Sequence, residues 1–154
     1  MGIGLEKVLE IGNPMSESGD AIRNSVIPNL LASEAVSGNA IFPHRIFEVG
    51  KIAVMEPSDN QGCRTLDSLG FLWADRRVGF NEVNAHVRAL FYGLPLKPEL
   101  VAVEDSRFIP GRTAEIRIMG KNVGIMGEIH PRCLENWGIQ MPCAVAEICL
   151  DAVV

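Results

Sequence analysis

The chain has 154 residues, 47% of them apolar and 21% charged, which is one-domain size and ordinary composition for a folded core. Its 19 acidic and 14 basic side chains leave a net charge of −5, and no basic run occurs, so this stretch is not built to grip phosphate backbones. No apolar run approaches the ~20 residues that cross a bilayer, the N-terminus lacks a secretory pattern, and Glu6 stands where a myristoylation motif needs Ser or Thr; a cytoplasmic protein is expected.

In chain order, Leu5–Gly12 is a short apolar segment closed by the turn signal Asn13-Pro14. A loop over 15–19 leads to Asp20, a helix N-cap candidate, and Ile22, Val26, Leu30 and Leu31 follow at helical spacing. Pro28 forbids one unbroken helix there, so two short helices or a kink are expected. Arg45–Met55 is rich in β-branched and aromatic residues and reads as a strand. After the loop 57–62, Asp67–Asp75 is a second strand. Asn81–Tyr92 is the clearest helix, with Val83, Val87, Leu90 and Phe91 on one stripe and Gly93 and Pro95 ending it.

The period-2 alternation of Ala114, Ile116 and Ile118 predicts a half-buried strand. Gly120-Lys121-Asn122 then turns the chain into Val123–Ile129, a hairpin. Pro131 opens a short helix to about Trp137, Gly138 closes it, and Ala144–Leu150 is a last strand. Short links between consecutive strands favour an antiparallel sheet flanked by helices, an α+β fold. There is no internal repeat.

Candidate chemistry is sparse. Cys63, Cys133, Cys143 and Cys149 form no CxxC pair, so they read mostly as small buried hydrophobes. His44, His86 and His130 show no metal-ligand spacing. His86 reads as a surface residue four positions past Glu82. His130 could pair with Cys133 as a thiol hydrolase's base and nucleophile; the simpler reading has it satisfy backbone groups at the start of the next helix. Glu48, Glu115, Glu128 and Glu147 all fall in strands. They could converge on magnesium or do acid–base work, but pairing with Arg45, Arg112 and Arg117 is the expected role. Gly120, Gly124 and Gly127 straddle a hairpin and make no phosphate loop; Gly124 and Gly127 would let strands approach closely.

Taken in order, the segments resemble one family. NPMSESGDAIRNSVIPNLL (13–31), RIFEVGKI (45–52), FIPGRTAEIRIMGKNVGIMGEIHPRCLENWGI (108–139) and AVAEICLD (144–151) resemble successive motifs of phenylalanine–tRNA ligase β subunits. The resemblance implies a class II synthetase-like domain, with Arg45–Met55 in the place of a motif 2 strand. It marks Asn13, Pro14, Arg23, Ser25, Pro28, Phe47, Glu48, Gly50, Gly111, Arg112, Gly127, Glu128, His130 and Pro131 as scaffold positions, with no catalytic, cofactor or metal residue among them. The family's closing arginine, which contacts ATP, has no match in EICLDAVV. The start just before NPMS implies a piece of a longer chain, 1–154 being its single pseudo-catalytic domain. ATP and magnesium would then belong to the complex with the α subunit, as would tRNA(Phe), and the lone piece would self-associate. The alternatives are an independently active adenylate-forming enzyme and the thiol hydrolase.

Overall fold

The computed structural model describes residues 9–10 and 21–153. The expected turn at Asn13-Pro14, the loop over 15–19 and the cap at Asp20 lie outside them, as does most of the first apolar segment. Strand β1 (Leu9–Glu10) pairs antiparallel with β2 (Ala21–Ile22) in a small separate ribbon. Helix α1 (Ile27–Val36) follows. Here the sequence reading needs correcting: there is one helix, not two, and Pro28 sits in its first turn, where a missing N–H costs no bond. Ile22 belongs to β2 and is 43% exposed, so it does not share a face with Leu30.

Strands β3 (His44–Met55) and β4 (Cys63–Ala74) form a long hairpin paired without interruption from His44↔Ala74 to Met55↔Cys63. Both begin earlier than expected, at His44 and at Cys63, because those residues still complete the ladder, while β4 stops at Ala74, one residue short of Asp75. Helix α2 (Phe80–Phe91) buries Val83, Val87 and Phe91. Leu90 lies on its flank at 42% exposure, and the helix ends before Tyr92.

Strand β5 (Glu99–Ala102) has no counterpart among the expected elements. Strands β6 (Phe108–Ile118) and β7 (Lys121–Ile129) form the expected hairpin. Its turn is Met119-Gly120, both at positive φ (53° and 77°), the two-residue geometry that matches strand twist. Lys121 already pairs with Ile118, so the turn sits earlier than the sequence suggests. Helix α3 (Pro131–Asn136), strand β8 (Cys143–Cys149) and a 3-10 turn (Leu150–Ala152) complete the chain.

The main sheet is six-stranded, ordered β3-β4-β8-β7-β6-β5 and antiparallel throughout. The last strand in sequence therefore lies between β4 and β7. Alternate side chains of β8 feed two cores, as period 2 demands. Cys143 and Val145 join Ile27, Leu31, Leu72, Phe108 and Leu134 under α1 and α3. Ala144, Ala146 and Ile148 join Val83, Val87, Ile116 and Met126 under α2. Each fully buried Ile, Leu or Val contributes about 2 kcal/mol, so both helical layers are held mainly by this burial.

Candidate functional site

On one face of the sheet, the start of α1 is seated on a carboxylate. Glu147 of β8, 9% exposed, accepts from Ser25 Oγ at 2.5 Å, from the Val26 N–H at 2.8 Å and from Ser68 Oγ at 2.9 Å. Ser25 Oγ in turn accepts from the Ile27 N–H at 3.2 Å. Helix α1 has no side-chain cap of its own; the buried anion takes over that work, at the end where the helix dipole favours it. Glu147 was expected to pair with an arginine. It is instead held by two hydroxyls and a backbone donor.

Glycines let this segment lie directly on the strands. A Cβ at Gly70 would stand 2.4 Å from Val26 Cγ2 and 3.0 Å from Leu30 Cδ1. Arg23 makes an ion pair with Glu48, donates from Nε to the Lys51 carbonyl at 2.9 Å, and accepts from the Ala53 N–H through its own carbonyl at 2.9 Å. Arg23, Glu48 and Gly50 thus meet where the chain crosses β3, Ser25 sits on β8 and Pro28 opens α1, whereas Phe47 points the other way and is 75% exposed.

The second group of family positions meets where β6 and β7 lead into α3. Arg112 Nη1 donates to Glu128 Oε2 at 2.6 Å, and Glu128 Oε1 accepts from the Phe80 N–H at 2.9 Å, holding the first turn of α2. Gly111 has φ +75°. At Gly127 a Cβ would lie 2.7 Å from the Arg112 carbonyl oxygen, and at Gly124 one would lie 2.2 Å from that of Glu147, so both glycines do allow close approach of strands. His130 Nδ1 accepts from the Arg132 N–H at 3.2 Å, which is the helix-start role, with Pro131 as the first helical residue. A hollow of about 710 Å³ opens beside this group, lined by Val78, Arg112, Glu128, Pro131, Leu134 and Ile139.

The guanidinium groups at these sites are committed. Besides the Arg23 and Arg112 pairs, Arg107 meets Asp105 at 2.6 Å and Arg117 meets Glu115 at 2.7 Å. Arg45, expected to pair with a glutamate, instead lies over the Trp73 ring at 4.2 Å. Hydrogen bonding to Asp105 holds Arg107 above its usual range, against the opposing effect of burial. Burial pushes the Asp105 carboxyl up, but hydrogen bonds from the Arg107 side chain and backbone, together with its charge, outweigh this and hold it below 3.8.

Cys143 is not poised as a nucleophile. Burial pushes the Cys143 thiol up to about 12, with Glu34 adding to the shift, so it is protonated near neutrality. All four thiols are free, and only Cys143 is buried, the others being half-buried. That corrects the expectation that most would be core residues. His44 is buried and bonded to Glu34 at 2.9 Å, while His86 is exposed and lies edge-on to Trp73 at 5.0 Å. The Glu34–His44 pair, Ser68 and the Arg107–Asp105 pair were not singled out in the sequence. A lone glutamate or histidine in an apolar stretch was the available signal.

Among the described residues no three His, Cys, Asp or Glu side chains converge on a metal position, and no helix is long and apolar enough to cross a membrane.

A six-stranded antiparallel sheet with helices on both faces and the last strand threaded into its middle defines a class II tRNA synthetase-like domain. In agreement, a pyrrolysyl tRNA synthetase of Desulfitobacterium hafniense superposes with a TM-score of 0.73 at 19% identity, over 99% of this chain and 54% of that one. The model of the phenylalanyl tRNA synthetase beta chain CLM domain matches residues 4–150, and the chain belongs to that family. It is 45% identical to the phenylalanine–tRNA ligase beta subunit of Treponema pallidum subsp. pallidum over 96% of its length, and 44% identical to that of Borrelia garinii subsp. bavariensis over all of it. The match covers 24% and 27% of those two proteins, so the chain spans about a quarter of each.

Proposed function

We propose that this domain is a non-catalytic structural element of a phenylalanine–tRNA ligase β subunit, packing with an α subunit that carries the chemistry. The observation that carries the reading is the seating of Arg23–Leu31 on the sheet. Glu147, Ser25 and Ser68 fix that segment across β4 and β8, and the Arg23–Glu48 pair fixes it to β3. The chain's own atoms fill the middle of that face. Forming an adenylate requires fixed cationic donors aimed at developing phosphate charge; the guanidiniums of Arg23, Arg107, Arg112 and Arg117 are each matched to a carboxylate. The β3–β4 loop, residues 56–62, adds no Lys or Arg and carries Glu56 and Asp59. ATP, magnesium and tRNA(Phe) are then handled by the assembled ligase, which works in the cytoplasm as a heterotetramer.

Phenylalanine-dependent pyrophosphate exchange tests the reading. The purified chain is expected to give no exchange above a protein-free control, and the same assay with a full ligase supplies the positive signal. Robust exchange by the chain alone would establish it as an adenylate-forming enzyme and end the proposal.

A further inference from the structure

The outer edge of β3 is only partly covered, and the uncovered part has a definite pattern. In the hairpin with β4 the even positions bond inward, since Glu56 N–H donates to the Gly62 carbonyl at 3.0 Å and continues that ladder. The odd positions face outward, since Ala53 N–H and the Lys51 carbonyl both bond to Arg23. Along that edge the chain supplies its own partner at Lys51–Ala53. Among the described residues, the outward N–H and C=O groups of Arg45, Phe47 and Val49 have no hydrogen-bond partner, and all three residues are exposed.

Beside this edge, on the α2 face, lies a groove of about 380 Å³ walled by Arg45, Phe47, Phe71, Trp73, His86 and Leu90. Phe47 is 75% exposed and Val49 58%. The groove's polar groups are basic or neutral, with no carboxylate on its wall, although the chain as a whole is acidic. Among the described residues, Arg45 carries the only full cation on that wall and makes no ion pair; its guanidinium rests on Trp73 at 4.2 Å.

We infer that Arg45–Val49 is a docking edge for an extended segment of another polypeptide, added antiparallel to β3, with an acidic residue opposite Arg45 and apolar residues opposite Phe47 and Val49. Backbone hydrogen bonds to the outward groups provide the attachment, and alternate side chains provide the selectivity. An apolar side chain opposite Phe47 removes that ring from water, and the acidic residue answers the unpaired guanidinium. A second copy of β3 fits less well. Keeping faces and hydrogen-bonding parity matched sets Phe47 against its twin, which leaves Arg45 opposite Val49 and diagonal to Lys51 of the other copy. No acid then meets the cation, and two like charges approach. The edge belongs to the folded chain alone, so this inference stands or falls independently of the non-catalytic reading.

The test titrates the ¹⁵N-labelled chain with a blocked peptide reading valine–threonine–phenylalanine–threonine–glutamate and follows amide exchange by NMR. At saturation the amides of Arg45, Phe47 and Val49 should exchange about tenfold more slowly or less, while those of Ile46 and Glu48, already bonded to β4, stay unchanged. Replacing the glutamate by lysine should weaken binding up to roughly fivefold, the scale of one surface ion pair. Val49→Pro removes an outward donor at a position where an edge strand tolerates proline, and should abolish binding with the fold retained. Should that variant not fold, Arg45→Gln reads the charge alone and should bind the glutamate and lysine peptides equally. The inference is overturned if the edge amides are unaffected, if only His86 and Leu90 respond, or if the lysine peptide binds the native chain as tightly. Protection of the same amides without peptide, as strong as with it and already present at the dilute concentration of the titration, would assign the edge to strand pairing with a second copy and overturn it too.

Discussion

At the scale of single residues, Glu147 decides how α1 meets the sheet. Its carboxylate is the shared acceptor of Ser25 Oγ, Ser68 Oγ and the Val26 N–H, so removing one donor leaves a buried anion less well satisfied. A hydrogen bond to a charged group is worth about 2 kcal/mol in such a setting. Ser25→Ala should therefore destabilise the chain by about 2 kcal/mol, because it also releases the Ile27 N–H. Ser37→Ala removes only an exposed bond to the Ser33 carbonyl and should cost no more than about 0.5 kcal/mol. Urea denaturation of the two variants measures both. In the double variant with Glu147→Gln the Ser25 effect should shrink, since the two act on one network. Additive costs would show that Ser25 contributes through packing or helix capping rather than through the carboxylate.

At the scale of elements, glycines separate two kinds of demand. Gly120 has φ +77° and open space around it, whereas a Cβ at Gly124 would stand 2.2 Å from the Glu147 carbonyl oxygen. Gly120→Ala should cost about 1 kcal/mol, the strain of a left-handed alanine. Gly124→Ala must part β7 from β8 and should cost about 3 kcal/mol or more. Denaturant midpoints at unchanged slope would show the gap, and equal losses would refute the close approach. The sequence made such strands legible where period 2 met a buried face, as in Ala114–Ile118. It left β5 unseen because four residues on an exposed edge bear no such pattern. Pro28 was misread because proline is equally compatible with breaking a helix and with opening one. The Glu147 network was hidden for another reason: Ser25 and Glu147 lie 122 positions apart, and no local pattern links them. The motif positions were visible, but which of them touch was not.

For the whole molecule, two opposing surface terms govern association. The net charge of −5 repels like copies at distances that salt shortens, the Debye length being about 10 Å at 0.1 M. Against it stands the apolar strip of Phe47, Val49 and Leu90 beside the bare β3 edge, exposed by 75%, 58% and 42%, of the kind that marks interaction surfaces. Covering a strip this short contributes only a few kcal/mol before the entropy of association is subtracted. Self-association of the isolated chain should accordingly be weak, rising with protein concentration and with salt, since screening removes the repulsion and leaves the apolar term. Sedimentation equilibrium at low and high ionic strength measures this. Phe47→Ser should lower the associated fraction at every salt concentration without altering thermal stability, because the ring packs on no core. A chain that stays monomeric at high concentration and high salt would mean that the strip is too small to hold two copies, and association weakened by salt would mean that charge pairing, not apolar burial, draws them together.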